Sequence, residues 1–236
     1  MSKFVLKLII LVLFGSNTSV CASQYGALIN IKAHKYGLDP DILTRVVEIE
    51  SSGNSAAFNV DGEGFSPDSV SQSMAMLVEI NAQPWMVKIR RLSGIGYRRM
   101  FFQNIMSAQK YVTALTRRLP KIRLVCSGRC KLTKPGDTLI RKLNVVSTDI
   151  GLGQINYRYH GKRLRDQHHW YTWFNPSFNL DYAAKHLAEL KKRHGSDAAA
   201  VAHYHSRTSK LQKAYLARFN RKWHKSPLVL VVVSDV

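Results

Sequence analysis

Glu50 is the residue of this chain whose setting points most directly to acid chemistry. It closes the stretch Asp39-Pro40-Asp41-Ile42-Leu43-Thr44-Arg45-Val46-Val47-Glu48-Ile49-Glu50-Ser51-Ser52-Gly53. Leu43, Val46 and Val47 fall on one helical face, and Glu50 follows them at i+7, i+4 and i+3. The spacing puts one carboxyl on an apolar face at the C-terminal end of a helix. Burial and the negative end of the helix dipole both favour the neutral acid there. A carboxylic acid held protonated near neutrality is the proton donor that glycosidic bond cleavage requires. A structural ion pair with one of the many Lys or Arg residues fits the same spacing without any chemistry. Glu48, two positions away, is expected to face solvent.

A second group of residues follows far downstream. Thr148-Asp149-Ile150-Gly151-Leu152-Gly153-Gln154-Ile155-Asn156 has two glycines two apart, which permit close backbone approach. Gln154 and Asn156 bring amide donors and acceptors. A lone Gly-x-Gly with no Rossmann pattern after it does not support a dinucleotide site. Tyr157, Tyr159, His160, Trp170, Tyr171, Trp173 and Phe174 form an aromatic cluster among basic residues. Such side chains stack on sugars or bases, and they also serve as ordinary core. His203 and His205 form a His-x-His pair, too nonspecific to define zinc, so neither metal nor cofactor is expected.

The elements that must position these residues are mainly helical. Asp39 caps the Glu50 helix, Pro40 takes its first position, and Gly53 stops it. Ser23 to Lys35 reads as a preceding helix with Leu28, Ile31 and Tyr25 inward. Residues 54–68, rich in Asn, Asp, Gly and Ser, read as a loop leaving directly from Glu50. Pro84 to Arg90 and Tyr97 to Phe102 read as a hairpin turning at Gly94-Ile95-Gly96. Asn104 or Ser107 opens a helix ending before Pro120. A basic loop through Cys126, Cys130 and Asp137 follows. Residues 62–149 are thus expected to be an insertion within one domain, 23–225. Leu180 to Leu190 carries a clean helical stripe. Short helices over 198–205 and 209–222 follow, and 226–236 is an apolar, β-prone tail.

The 236 residues carry a formal charge of +20, which favours anionic partners. Lys3 and Lys7, the apolar run Leu8 to Phe14 and Val20-Cys21-Ala22 match a secretory signal over 1–22. Its removal takes away two lysines and no acid, leaving +18. Val20 before Cys21 fits a lipid-attachment site poorly. Only Cys126 and Cys130 then remain, and an oxidising compartment permits a small disulfide loop between them. An exported protein meets little nucleic acid, so nucleic acid is not the expected primary ligand.

In order along the chain, Glu50-Ser51, Gly151-Leu152-Gly153-Gln154-Ile155-Asn156 and Ala202-His203-Tyr204-His205-Ser206 resemble three motifs of the family-one, soluble-transglycosylase-like lytic transglycosylases. They look like its Glu-Ser pair, its Gly-Leu-Met-Gln-Ile-Asn motif and its Ala-Tyr-Asn-x-Gly motif. Asn175-Pro176 and the Ala-rich helix after it also fit. The Pro84-Trp85 hairpin, Tyr159-His160-Gly161 and Tyr204-His205-Ser206 resemble a subgroup encoded with conjugative-transfer and type IV secretion machinery on integrating elements. Two departures stand out: Gly153 replaces the motif's Met, and His205 replaces its Asn.

The resemblance implies a mainly α (α+β), lysozyme-like fold with a small β-hairpin insertion beside a cleft. It implies a peptidoglycan lytic transglycosylase, acting in the periplasm as a monomer on glycan strands, possessing no metal or cofactor, and opening the wall locally for conjugation or secretion apparatus proteins. Glu50 is the implied catalytic acid/base. Ser51, Gln154, Asn156 and Tyr204 are the implied substrate-binding residues. Two rivals stand beside this expectation. A hydrolytic muramidase needs a second carboxylate, for which Asp61, Glu63, Asp68 and Asp149 are the candidates. A noncatalytic wall-binding scaffold of the transfer apparatus needs only the basic surface and the tail.

Overall fold

Two helices open the described chain, α1 (Thr18–Lys35) and α2 (Pro40–Ser51), in a computed structural model that describes residues 18–165 and 170–230. Positions 1–17 of the expected signal and 231–236 of the expected tail lie outside the described residues. α2 begins as its sequence dictates. Asp39 accepts a hydrogen bond from the Asp41 N–H at 2.9 Å, and Pro40 stands at the first turn. The end differs by one residue from expectation. Ser52, at φ 53°, takes the left-handed cap position, and Gly53 continues it at φ 71°. In α1 the inward residues are Ile29 and Ala33, with Tyr25 and Leu28 at the edge. Ile31 is 64% exposed, contrary to expectation, because Ile29 and Ala33, four apart, already define the buried stripe.

The expected loop after Gly53 contains a small hairpin, β1 (Phe58–Val60) and β2 (Glu63–Phe65). Asp61 and Gly62 turn it, both at positive φ, as a tight two-residue connection demands. Helix α3 (Val70–Ala82) follows, an element not read from the sequence. The expected hairpin is present as β3 (Trp85–Arg90) and β4 (Tyr97–Phe102), in register throughout. Helix α4 (Ile105–Arg118) is capped by Asn104. The expected basic loop includes strand β5 (Arg123–Ser127), which runs parallel to β6 (Asp137–Lys142). The hairpin is therefore half of a four-stranded sheet ordered β4-β3-β6-β5. Cys126 and Cys130 are joined in a disulfide.

β7 (Thr148–Ile150) returns to pair with β1, and β8 (Ile155–Asn156) pairs with β7, giving a second sheet ordered β2-β1-β7-β8. Both ends of the expected insertion, β2 and β7, thus pair with β1. Helix α5 (Tyr157–Arg165) and a 3-10 turn (Trp170–Phe174) lead to α6 (Pro176–His194), α7 (Asp197–His205) and α8 (Ser209–Asn220). The result is an α+β fold, predominantly helical.

The helical core joins Leu43, Val46 and Val47 of α2 to Leu180, Ala184 and Leu187 of α6, Val201 of α7 and Phe219 of α8. Each large apolar side chain buried there contributes roughly 1.5–3 kcal/mol. Leu228 and Leu230 pack on the same core, and the Leu228 backbone is held by the Asn220 side chain at 2.9 and 3.0 Å. This part of the tail forms no strand.

Candidate active site

The end of α2 is held by the last helix. Arg45, buried, donates from Nε to the Phe219 carbonyl at 3.1 Å and from Nη2 to the Arg218 carbonyl at 3.0 Å. Arg218 in turn donates to the Ile49 carbonyl at the end of α2. Each arginine satisfies carbonyls that helix ends leave without intrahelical partners. Arg45 also pairs with Glu48 at 2.8 Å, so Glu48 is half-buried and ion-paired rather than fully solvated. The Ser51 hydroxyl is buried and spent locally, donating to the Val47 carbonyl and accepting from the Gly53 N–H, each at 3.1 Å. Ser51 therefore shapes the helix end.

This anchoring presents the Glu50 carboxyl, 15% exposed, towards α7, α8 and β7. His205 Nδ1 lies 3.8 Å from Glu50 Oε1. The His205 ring stacks on the Tyr215 ring, centroids 4.4 Å apart and planes within 8°. The Tyr215 hydroxyl neighbours the Glu50 carboxyl. Neither that hydroxyl nor Glu50 Oε1, both buried, closes a hydrogen bond among the described residues. Burial, then the Glu50 charge, pushes the Tyr215 phenol well above its ordinary range, so it is a neutral donor.

The Gly151-to-Gln154 turn between β7 and β8 is built around Asn179 of α6. Asn179 is fully buried; it donates to the Ile150 and Trp173 carbonyls at 2.9 and 2.8 Å and accepts from the Gly153 N–H at 2.7 Å. Gly151, at φ 75°, leaves no room for a Cβ, which would lie 2.5 Å from Asn179 Nδ2. A Cβ on Gly153 would lie 2.7 Å from the Tyr204 hydroxyl and 2.9 Å from the Ala183 Cβ. Tyr204 donates to the Gly153 carbonyl at 2.7 Å. Its phenol is pushed well above the ordinary range by burial, with Glu50 adding to the effect. Gln154, at φ 46°, folds its amide back onto the Gly151 and Ala57 carbonyls at 2.9 and 3.2 Å. Its donor therefore braces the turn.

Asp149 belongs to the same neighbourhood. Its Oδ1 accepts from Asn156 Nδ2 at 2.6 Å, which is where the Asn156 amide is committed. Burial first, and the Glu50 charge second among the raising effects, push the Asp149 carboxyl up to about 6; Asn156 and His205 oppose the shift. The other acids considered are engaged elsewhere. Asp61 pairs with Arg129 and Arg141, buried Glu63 pairs with Lys88 at 2.8 Å and Arg99 at 2.5 Å, and Asp68 is exposed ahead of α3.

The aromatic cluster divides. Trp173 and Phe174 are core, Tyr157 packs on Trp173, and the His160 ring nitrogen bonds the Tyr182 hydroxyl at 2.7 Å. Tyr159 and Tyr171 are exposed, and the Trp170 side chain lies outside the described residues. His203 and His205 diverge: His203 stacks on His194, while His205 turns to Glu50. Among the described residues no group of three His, Cys, Asp or Glu side chains is arranged to hold a metal.

Sequence reasoning missed three site residues. Tyr215 lies in the expected helix over 209–222, where nothing in the spacing set it apart. His205 read only as half of a nonspecific His-x-His pair and as a motif departure. Asn179 carried a usable signal, a polar residue four before Ala183 on the apolar stripe of α6. Comparison with family models, with curated proteins and with solved structures gave no match. The residues alone carry the functional argument.

Proposed function

We propose that the protein is a peptidoglycan lytic transglycosylase with Glu50 as its acid. It cuts the β-1,4 bond between N-acetylmuramic acid and N-acetylglucosamine and closes a 1,6-anhydro ring. The observation that supports this reading most is the meeting of the three motifs on which the resemblance rests. Glu50 of the first lies beside His205 of the third, and Tyr204 of the third bonds Gly153 of the second. A half-buried carboxyl at a helix end, among neutral phenols, is a setting for proton transfer to a glycosidic oxygen.

In the simplest form of the reaction Glu50 gives its proton to the glycosidic oxygen as the C1–O bond breaks. The C6 hydroxyl oxygen of the same muramic acid then bonds to C1, and the Glu50 carboxylate accepts the hydroxyl proton. Glu50 ends as it began, and no water is consumed. The fold in this reading is lysozyme-like, with the acid between a helical half and the β2-β1-β7-β8 sheet. The signal-like N-terminus supports a periplasmic site of action. The resemblance to the transfer-associated subgroup supports local wall opening for a conjugation or type IV secretion apparatus.

Asp149 favours one second reading. It is a carboxyl sharing the neighbourhood of Glu50, so it can serve a hydrolytic muramidase as the second carboxylate. Mass spectrometry of muropeptides released from purified sacculi separates the two. Anhydro-muramyl products that disappear in Glu50→Gln support the lyase. Reducing-end products that disappear in Asp149→Asn replace it with the hydrolase. Wall binding without release by the unaltered protein overturns both.

A further inference from the structure

We propose that the outer face of α8, with the end of α6 beside it, is a docking surface for the phosphate headgroups of an anionic lipid membrane. The charge distribution points there. No Asp or Glu occurs between 198 and 234, while seven Lys and Arg fall in that stretch. Two of the seven are engaged: Arg218 donates to the Ile49 carbonyl, and Lys225 pairs with Asp39 and Asp41. Arg207, Lys210, Lys213, Arg221 and Lys222 are exposed and form no ion pair among the described residues.

Helical periodicity gathers them. Lys210, Lys213 and Arg221, at i, i+3 and i+11, fall on one side of α8, with Ala214 and Ala217 between them. The small alanines leave that side open to a flat surface. Leu211, 48% exposed at its edge, offers an apolar contact to the acyl boundary. The start of α8 is tied to α7, since Gln212 Nε2 donates to His203 Nδ1 at 3.1 Å and to the Ser206 carbonyl at 2.9 Å. His203 in turn stacks on His194 of α6, centroids 3.8 Å apart and planes within 1°. Burial first, then His194, Arg193 and Arg207, hold the His203 imidazole below its ordinary range. Groups of one sign therefore meet at this corner, and an anion relieves their repulsion.

A lipid surface suits this face better than a nucleic acid. Exposed Leu211 stands among the cations, where it gains nothing from a phosphate backbone, and the signal-like N-terminus directs the chain towards an envelope. On the buried side of α8, Tyr215 neighbours the Glu50 carboxyl. Docking therefore holds that carboxyl about one helix diameter, roughly 10 Å, from the headgroups. Binding at this face needs no lytic step, so it stands or falls separately from the lyase reading.

The test is co-sedimentation with vesicles of phosphatidylcholine alone and of phosphatidylcholine mixed with phosphatidylglycerol. The neutral vesicles measure whatever the apolar N-terminal run contributes. The protein is expected to bind the anionic vesicles far more tightly, and to leave them as salt is raised. Each cation at such a surface contributes about fivefold, so Lys210→Gln with Lys213→Gln is expected to weaken binding about 25-fold. Lys110→Gln with Arg117→Gln removes the same charge from the exposed side of α4 and is expected to bind like the parent. Thermal unfolding shows that all variants are folded. An equal loss in the α4 variant assigns the binding to net charge and overturns the inference, and so does equal binding to both kinds of vesicle. A duplex oligonucleotide or purified sacculi held more tightly at the same salt, and released by the α8 substitutions, gives the face to that partner and overturns the lipid assignment.

Discussion

Arg45 and Arg218 hold the ends of each other's helices. Arg45 of α2 binds the carbonyls of Arg218 and Phe219 near the end of α8, and Arg218 binds the Ile49 carbonyl at the end of α2. Glu50 follows Ile49 directly, so this exchange fixes where the carboxyl stands. Arg45→Met is expected to cost about 3 kcal/mol, because it leaves two carbonyls without their charged donor. Urea denaturation measures it. Arg218→Met is expected to lower kcat more than it lowers stability, since Arg218 holds the carbonyl next to the acid and is itself exposed.

The packing of Gly153 against Tyr204 makes a second prediction. Gly153→Met, which restores the residue of the motif this turn resembles, forces a Cβ against the Tyr204 hydroxyl and Ala183. The expected cost is about 1–3 kcal/mol. In a Tyr204→Phe background the clash with the hydroxyl is gone and the cost of Gly153→Met shrinks. A double-mutant cycle from thermal unfolding gives the coupling. Strictly additive costs would show that the two side chains do not compete for that space.

Asp149 makes a pH prediction. Its folded carboxyl is raised from 3.8 to about 6, so the folded state holds the proton more tightly than the unfolded chain. The stability this contributes is fully present below about pH 4 and is lost as pH rises through about 6. The whole effect is at most about 3 kcal/mol. Asp149→Asn is expected to remove this fall. Unfolding free energies of both proteins at pH 4 and pH 7.5 measure it, and parallel pH profiles contradict it.

The Cys126–Cys130 bridge spans a short loop at β5, an outer strand of its sheet. Short loops lose little chain entropy, so replacing both cysteines by Ser is expected to cost about 2 kcal/mol. Because β5 belongs to the other sheet from β7 and β8, muropeptide release by the double variant is expected to match the parent at temperatures where both are folded.

Much of the fold was legible because local chemistry decides it. Asp39-Pro40 and Asn104 cap their helices as their residue types require, and the β3–β4 hairpin follows from alternation around a glycine turn. Helix α3 was equally writable. Ser69 accepts from the Gln72 N–H while Gln72 reaches back to the Asp68 N–H, a reciprocal cap. Its buried stripe, however, contains Ser73, whose hydroxyl bonds the Ala56 carbonyl, and that blurs the apolar period. The hairpin β1–β2 was obscured by the polar composition around its turn. Of the site, helical spacing made Glu50 legible, while Asp149 and Tyr204 stood only as candidates. The approach of His205, Tyr215 and Asp149 to that carboxyl is set by how α7, α8 and β7 pack, and no spacing within one element encodes it.

The arginine exchange also orders events in time. The acid is specified in the first quarter of the chain, yet the groups that aim it, His205, Tyr215 and Arg218, are specified near the end. A ribosome delivers these parts in sequence, and early segments fold first. The Glu50 carboxyl therefore stays unaimed until α8 has docked against α2.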